Sequence, residues 1–128
     1  MKLRIQDNSV RLRLTRGEVE RMRQEGRVSA TAAFPGGSRL EYALEASQAA
    51  EGATARFAAG RLAVSVPRIK VEQWAGSEEQ VSIEGTQSLD DGGQLAILVE
   101  KDFRCLTPRA GEDESDMFPH PLQDIESC

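Results

Sequence analysis

Two segments of similar pattern lie 52 residues apart in this chain, and this repeat constrains the fold more than any other feature. Residues 10–15 read VRLRLT and residues 62–67 read LAVSVP, and both alternate apolar with other side chains. Such alternation is typical of a half-buried strand. Each run leads into a helical pattern whose apolar positions also correspond, Val19 with Val71 and Met22 with Trp74. The sequence therefore predicts an internal duplication.

Each copy is predicted to have the order strand, strand, helix, strand, strand. The first helix begins with a capping box, Thr15 to Glu18, and stops at Gly26, a residue suited to the left-handed position after a helix. The second begins at Pro67 and stops at Gly76. We expect strands at residues 2–6, 10–14, 27–34, 39–46, 53–59, 61–66, 79–88 and 94–101.

The fold class that follows is α+β, with about eight mostly antiparallel strands and two helices outside them. Short turns between consecutive strands favour antiparallel pairing throughout. Two related halves can also pair their edges, so we expect a barrel or a strongly curved sheet. The length of 128 residues suits a single duplicated domain, residues 1–106, with repeats at about 1–48 and 53–102. Residues 107–128 show neither the two-residue period of a strand nor the 3.6-residue period of a helix. We expect them to form an irregular acidic C-terminal arm.

Composition and charge limit the cellular compartments and the binding partners that we expect for this protein. No apolar run approaches the roughly 18–20 residues that span a bilayer, and no apolar stretch follows the charges of residues 1–4. We therefore expect a cytoplasmic protein without a membrane partner, with Cys105 and Cys128 as free thiols. A sequence pI near 5.0 makes nucleic acid an improbable partner. The charge is uneven: residues 103–128 hold two arginines and six acids, whereas the first third of the chain is basic.

One set of basic residues is a candidate anion-binding site. Strand alternation turns these side chains away from the apolar face, so several guanidinium groups share one surface and can bind phosphate or carboxylate. The alternative is an ordinary solvated sheet face, where Lys and Arg are common. The set is Lys2, Arg4, Arg11, Arg13 and Arg56.

The arm holds the second candidate group of residues, which are Glu112, Asp113, Glu114, Asp116, Phe118 and His120. Acidic oxygens with one imidazole would suit a metal ion, although the spacing matches no calcium loop or zinc motif. A solvated acidic segment is the favoured interpretation. A third possibility has the arm folding back onto the basic face, with Met117 and Phe118 as anchors. For Cys105 an inert buried thiol is favoured over a nucleophile.

Residues 1–5 (MKLRI) and 8–14 (NSVRLRL) resemble the opening of a family of small, uncharacterised bacterial proteins. Residues 100–106 (EKDFRCL), 112–114 (EDE) and 118–121 (FPHP) resemble its close. This resemblance implies no activity.

The duplicated pattern is also similar, at the level of fold, to the CYTH-like triphosphate-tunnel superfamily. That similarity implies a tunnel for a polyphosphate, lined by Lys2, Arg4, Arg11, Arg13, Arg39 and Arg56. It also implies Mg²⁺ or Mn²⁺ bound by Glu41, Glu84 and Glu100. The superfamily's glutamate-x-glutamate-x-lysine is absent from the first strand, which reads KLRIQ.

Two functions remain open from the sequence. The favoured one is a small non-catalytic binding or interaction protein of the bacterial cytoplasm, with no cofactor and with a phosphorylated small molecule or a protein as its partner. The alternative is a phosphate-ester or polyphosphate-binding protein, or a metal-dependent phosphohydrolase. A divalent metal is expected only under the alternative.

Overall fold

The structure is a computed structural model that describes residues 1–102. Among these residues it has eight strands, two α-helices and one short 3-10 turn at Pro35–Gly37. The strands are β1 (Lys2–Gln6), β2 (Ser9–Leu14), β3 (Arg27–Ala33), β4 (Arg39–Ser47), β5 (Thr54–Ala58), β6 (Arg61–Pro67), β7 (Ser82–Ser88) and β8 (Gln94–Lys101). The helices are α1 (Arg16–Glu25) and α2 (Arg68–Gly76). The predicted α+β class and order of elements are confirmed.

The strands form two four-stranded sheets. The first has the order β1-β2-β8-β7 and the second the order β3-β4-β6-β5, so each sheet takes one hairpin from each half of the chain. The described strands form no closed barrel, contrary to the expected one. Where the edge strands β5 and β7 approach each other, the Ala55 amide donates to Gln87 Oε1 at 2.8 Å, and a side-chain contact replaces a backbone ladder.

The expectation of antiparallel pairing throughout is wrong at the centre of each sheet. The four hairpin pairs are antiparallel, but β2 pairs with β8 in parallel and β4 pairs with β6 in parallel. A hairpin turn fixes only the two strands that it joins. Each helix carries the chain from one sheet to the other, so the central neighbours come from distant parts of the sequence.

Local sequence signals place α1 as predicted. The Thr15 hydroxyl accepts from the Glu18 amide at 3.3 Å, and the Glu18 carboxylate accepts from the Thr15 amide at 2.9 Å. Gly26 ends the helix with φ 76°. Burial of Glu18 alone would raise its pKa, but hydrogen bonds from the Met1 ammonium and from Thr15 outweigh burial and lower the pKa below its usual value.

The core lies between the two sheets and beneath the helices. The inward residues of the central strands pack with Val19, Met22, Val71 and Trp74, the four helical positions that the repeat identifies. Trp74 is fully buried, and its indole N–H donates to the Val81 carbonyl at 3.0 Å. Neither helix among residues 1–102 has the length and apolarity that crossing a membrane requires.

Candidate ligand-binding cleft

The topology leaves the two ends of the molecule different. β2 runs parallel to β8, and β4 runs parallel to β6. α1 follows β2 and α2 follows β6, and the two helices contact each other, so both lie at the same end of the molecule. The helices therefore close the interior at the carboxyl ends of these strands. At their amino ends no helix covers the inner faces.

An apolar cleft of about 370 Å³ opens at this uncovered end. Its wall is contributed by six strands from both sheets, and each lining side chain is on the inward face of its strand. No lining residue carries a titratable or nucleophilic group. The lining residues are Leu3, Ile5, Val10, Leu40, Ala55, Phe57, Leu62 and Leu95.

Two large apolar side chains stand at the mouth of the cleft. Ile5 on β1 is 62% exposed and Phe57 on β5 is 67% exposed, although strand alternation turns both inward. Both strands are sheet edges, so each side chain has a neighbouring strand on one side only. Exposed apolar groups that converge on one concavity are characteristic of a binding site, whereas scattered ones carry no such meaning.

The cleft is built from corresponding positions of the two halves. Leu3 and Ala55, Ile5 and Phe57, and Val10 and Leu62 are each 52 residues apart. Leu40 and Leu95, the remaining pair, occupy equivalent places near the starts of β4 and β8. Both halves therefore contribute equally to its wall.

Two arginines of the predicted anion-binding set, and Arg39 of the tunnel lining that the CYTH-like similarity implies, flank the cleft residues in sequence. Arg4 lies between Leu3 and Ile5, Arg56 lies between Ala55 and Phe57, and Arg39 precedes Leu40. All three are exposed and form no salt bridge with any acid of residues 1–102, as is also true of Arg16 at the helical end. By strand alternation their side chains point to the face opposite the cleft lining, so they lie on the outer side of strands that form its wall. We call Arg4, Arg39 and Arg56 the rim arginines.

The remaining basic residues of the predicted set have acidic partners on the outer face of the first sheet. Arg13 and Arg11 contact the same carboxylate oxygen of Glu100, at 3.1 and 3.3 Å, and Lys2 contacts Asp102 at 3.2 Å. Glu84 is exposed on the same face. These contacts leave little net charge there, since Glu100 already neutralises part of the arginine pair.

Glu41 lies on the other sheet, apart from Glu84 and Glu100. Its carboxylate accepts from Arg61 Nε at 2.9 Å and Arg27 Nη2 at 3.3 Å. The hydrogen bond with Glu41 raises the pKa of Arg61 above its usual value. The structure thus does not bring the three glutamates together, and within residues 1–102 no group of three or more His, Cys, Asp or Glu side chains is placed to hold a metal ion.

The sequence-predicted residues of the arm lie outside the described residues. These are Glu112, Asp113, Glu114, Asp116, Phe118 and His120, together with Cys105 and Cys128.

A second concavity of about 860 Å³ lies between the ends of the helices. It is lined largely by charged residues, among them Arg16, Glu20, Arg23 and Lys101, and it includes Asp102. Asp102, the last residue that the structure describes, is part of this lining. We take the apolar cleft as the candidate site because exposed Ile5 and Phe57 converge on it.

Sequence reasoning missed the cleft residues because alternation indicates only that an apolar strand residue points inward, and an inward residue is ordinarily a core residue. A signal was available in the repeat. The corresponding positions Ile5 and Phe57 carry large apolar side chains on the first strand of each half, where no flanking element is available to cover them.

The model of a family of unknown function (DUF7009) matches residues 1–122 of the chain. No curated protein and no solved structure matches it significantly.

Proposed function

This chain belongs to that family of unknown function, and we propose from its cleft that it is a non-catalytic binding protein for a small amphiphilic anion. The ligand has an apolar chain or ring, which enters the cleft, and a carboxylate, sulfate or phosphate-ester group, which stays at the mouth and is attracted by the positive charge of the rim arginines on the outer side of the same strands. The observation that carries the proposal is the convergence of exposed Ile5 and Phe57 on an apolar cleft. The strands of its wall carry arginines on their outer side that form no salt bridge with the acids of residues 1–102.

Burial of the apolar part supplies most of the affinity. Each methylene removed from water contributes about 0.8 kcal/mol, which is about fourfold in Kd. The cleft volume of about 370 Å³ falls in the range of roughly 300–1,000 Å³ that is usual for small-molecule sites. A ligand with several buried methylenes therefore gains affinity mainly from its length.

The rim arginines supply orientation and a preference for charge. Their guanidinium groups are exposed, and an exposed ion pair contributes only about 0–1 kcal/mol. The free energy that charge contributes to binding is thus smaller than the free energy gained by burying two methylenes. The positive charge of Arg4, Arg39 and Arg56 favours the orientation in which the anionic end of the ligand stays at the mouth. Ile5, Phe57 and the residues beneath them determine how tightly the ligand binds.

The lining supports a role in binding without catalysis. Nucleophilic and acid–base catalysis need a titratable or nucleophilic group within hydrogen-bond reach of the reacting atom. Every one of the eight lining side chains is aliphatic or a phenyl ring.

We also infer that the two halves derive from one duplicated unit, since corresponding positions line the cleft.

The proposal is tested by the dependence of affinity on ligand length and charge. Hexanoate, octanoate and decanoate displace a fluorescent apolar anion from the full chain, with decan-1-ol as the uncharged match for decanoate. We expect Kd to fall about fourfold per added methylene until the cleft is filled. We expect decanoate to bind up to about fivefold more tightly than decan-1-ol.

Different results would remove the proposal. A Kd that does not change with chain length would show that the cleft takes no apolar chain. Equal affinity for decanoate and decan-1-ol at low salt would show that the cleft binds an apolar chain but has no preference for an anionic group. Raising the salt concentration separates the two terms, since screening weakens only the charge term.

A further inference from the structure

The edge strand β3 has a partner strand on one side only. It pairs with β4, and in the part of the chain that the structure describes no strand lies beyond it. The Phe34 amide donates to the Ser38 carbonyl at 2.8 Å, so the even-numbered residues of β3 are the ones whose amides bond to β4. The amides of Ser29, Thr31 and Ala33 therefore point away from the sheet, and we call this row the open edge.

The open edge lacks the features that usually protect the side of a sheet. Proteins place charges, prolines or bulges on exposed edges because free amides and carbonyls are a template for another strand. Residues 28–33 read VSATAA, without charge or proline, and their register with β4 is unbroken. Each of the other three edge strands has a charged residue in its interior, Arg4 in β1, Arg56 in β5 and Glu84 in β7. β3 is thus the edge best suited to accept an added strand.

The two halves of the chain differ at this edge. In the second half, Gln87 on β7 accepts from the Ala55 amide and links the two edge strands of that side. Gln87 pairs with Leu95, and the corresponding Leu40 pairs with Ala32. A methyl group cannot accept a hydrogen bond, so Ala32 gives β3 no equivalent of the link that closes the other side.

The charge beside the open edge favours an acidic partner. β5 and β7 meet on one side of the molecule, so β1 and β3 are the edges of the other side. β1 and β3 together carry Lys2, Arg4 and Arg27 and no acid, whereas the charges of β5 and β7 cancel. Strand alternation turns all three cations to the outer faces of their sheets. Two of them also contact one acid each elsewhere in the chain, and all three remain exposed.

We propose that the open edge binds an extended acidic segment of another protein as an additional strand. Hydrogen bonds between the two backbones supply the affinity, as in other cases of strand addition. Successive side chains of a strand point to opposite faces. The segment therefore alternates apolar residues, on the inner side, with acidic residues, on the outer side that carries Lys2, Arg4 and Arg27. The proposal concerns an edge and not the cleft, so it goes beyond the proposed function and does not depend on it.

A second copy of this chain fits the open edge less well. Pairing of β3 with its own copy about a twofold axis would bring the two β1 strands, which lie on the same side, towards each other. Lys2 and Arg4 of one copy would then approach the same cations of the other. Like charges brought together at an interface disfavour association, whereas an acidic segment meets opposite charge.

The test uses the full-length chain and two heptapeptides with blocked ends, VEVEVEV and VKVKVKV, which differ only in the sign of their charge. Backbone amide NMR spectra of the chain give both the Kd and the location of binding. We expect VEVEVEV to shift the amide resonances of Ser29, Thr31 and Ala33. We expect VKVKVKV to bind at least about tenfold more weakly, and a high salt concentration to reduce this difference.

Thr31→Pro removes one amide from the open edge, and Thr86→Pro is its matched control on the edge strand β7. The Leu89 amide donates to the Gly93 carbonyl, so the odd-numbered residues of β7 pair with β8 and the Thr86 amide points outward. Both prolines therefore stand where no ladder hydrogen bond is lost. We expect Thr31→Pro to weaken VEVEVEV binding at least about tenfold and Thr86→Pro to change it less than twofold.

Three results would overturn the proposal. The first is equal affinity for the two peptides, and the second is no shift of the β3 amides by VEVEVEV at about 1 mM. The third is a shift of these amides when the chain is concentrated without peptide, which would show that a second copy takes the edge. If Thr31→Pro does not fold, the amide shifts of the unchanged chain decide the question. None of these measurements involves the cleft, so their failure leaves the proposed function in place.

Discussion

Replacing Trp74 by alanine is expected to lower the free energy of unfolding by about 3–5 kcal/mol. Trp74 is fully buried, and it is the largest side chain in the core that joins both sheets and both helices. Its removal leaves a cavity in a core that relaxes only in part, and the Val81 carbonyl loses the indole N–H that it accepts. Denaturant unfolding followed by circular dichroism measures the change.

Ile69→Ala is the matched control for this change. Ile69 lies on the same helix and is 64% exposed, so its truncation should alter the free energy of unfolding by less than about 0.5 kcal/mol. A loss below about 1 kcal/mol for Trp74→Ala would contradict the packing of α2 described above. It would mean that the helix does not close the interior at this end.

The double substitution Ile5→Asp with Phe57→Asp is expected to weaken decanoate binding by more than about a hundredfold, or about 2.7 kcal/mol. Two apolar contacts at the mouth of the cleft disappear. Two carboxylates take their place, and they repel the anionic group of the ligand. Isothermal titration calorimetry of the full chain gives Kd for both proteins.

The structure provides a close control for this double variant. Ile69→Asp introduces one such carboxylate, half the charge of the double variant, at a position of nearly equal exposure, 64% against 62% for Ile5, but on the helical side of the molecule. We expect its Kd to stay within about twofold of the original, since its charge lies outside the cleft. Both variants should stay folded because the replaced side chains are largely exposed. Equal weakening by the double variant and by Ile69→Asp would mean that the ligand binds elsewhere, or that its affinity depends only on the net charge of the protein.

Local elements of this fold could be predicted from the sequence because their signals are local. The ends of α1 follow from Thr15, Glu18 and Gly26, whose hydrogen bonds and backbone angles are independent of distant residues. The buried helical positions follow from their spacing, and the structure buries both Met22 and Trp74. Strand limits agree within about three residues, the largest difference being the start of β7 at Ser82.

The pairing of distant strands could not be predicted in the same way. Alternation predicts which side chains share a face, but it does not predict which strand comes next to a hairpin. The parallel β2–β8 pair brings Glu100 beside Arg13, across 87 residues of sequence. Strand alternation groups Arg13 with other cations, and only the adjacency of β8 shows that Glu100 partners its charge.

The cleft was beyond prediction for a related reason. Periodicity turns Ile5 and Phe57 inward, and an inward residue is ordinarily a core residue. Whether another element covers it depends on where the helices lie. Here both helices lie at the carboxyl ends of the central strands, so inward residues at the other end meet solvent.

The central claim is that the cleft between the two sheets holds the apolar part of an amphiphilic anion. The most direct measurement is the set of intermolecular nuclear Overhauser contacts between the methylenes of decanoate and the methyl groups of the full chain. We predict contacts to Ile5, Val10 and Leu62, which line the cleft, and none to Ile69 or Val71 on α2. Contacts to the methyl groups of α2, with none to the cleft, would contradict the claim.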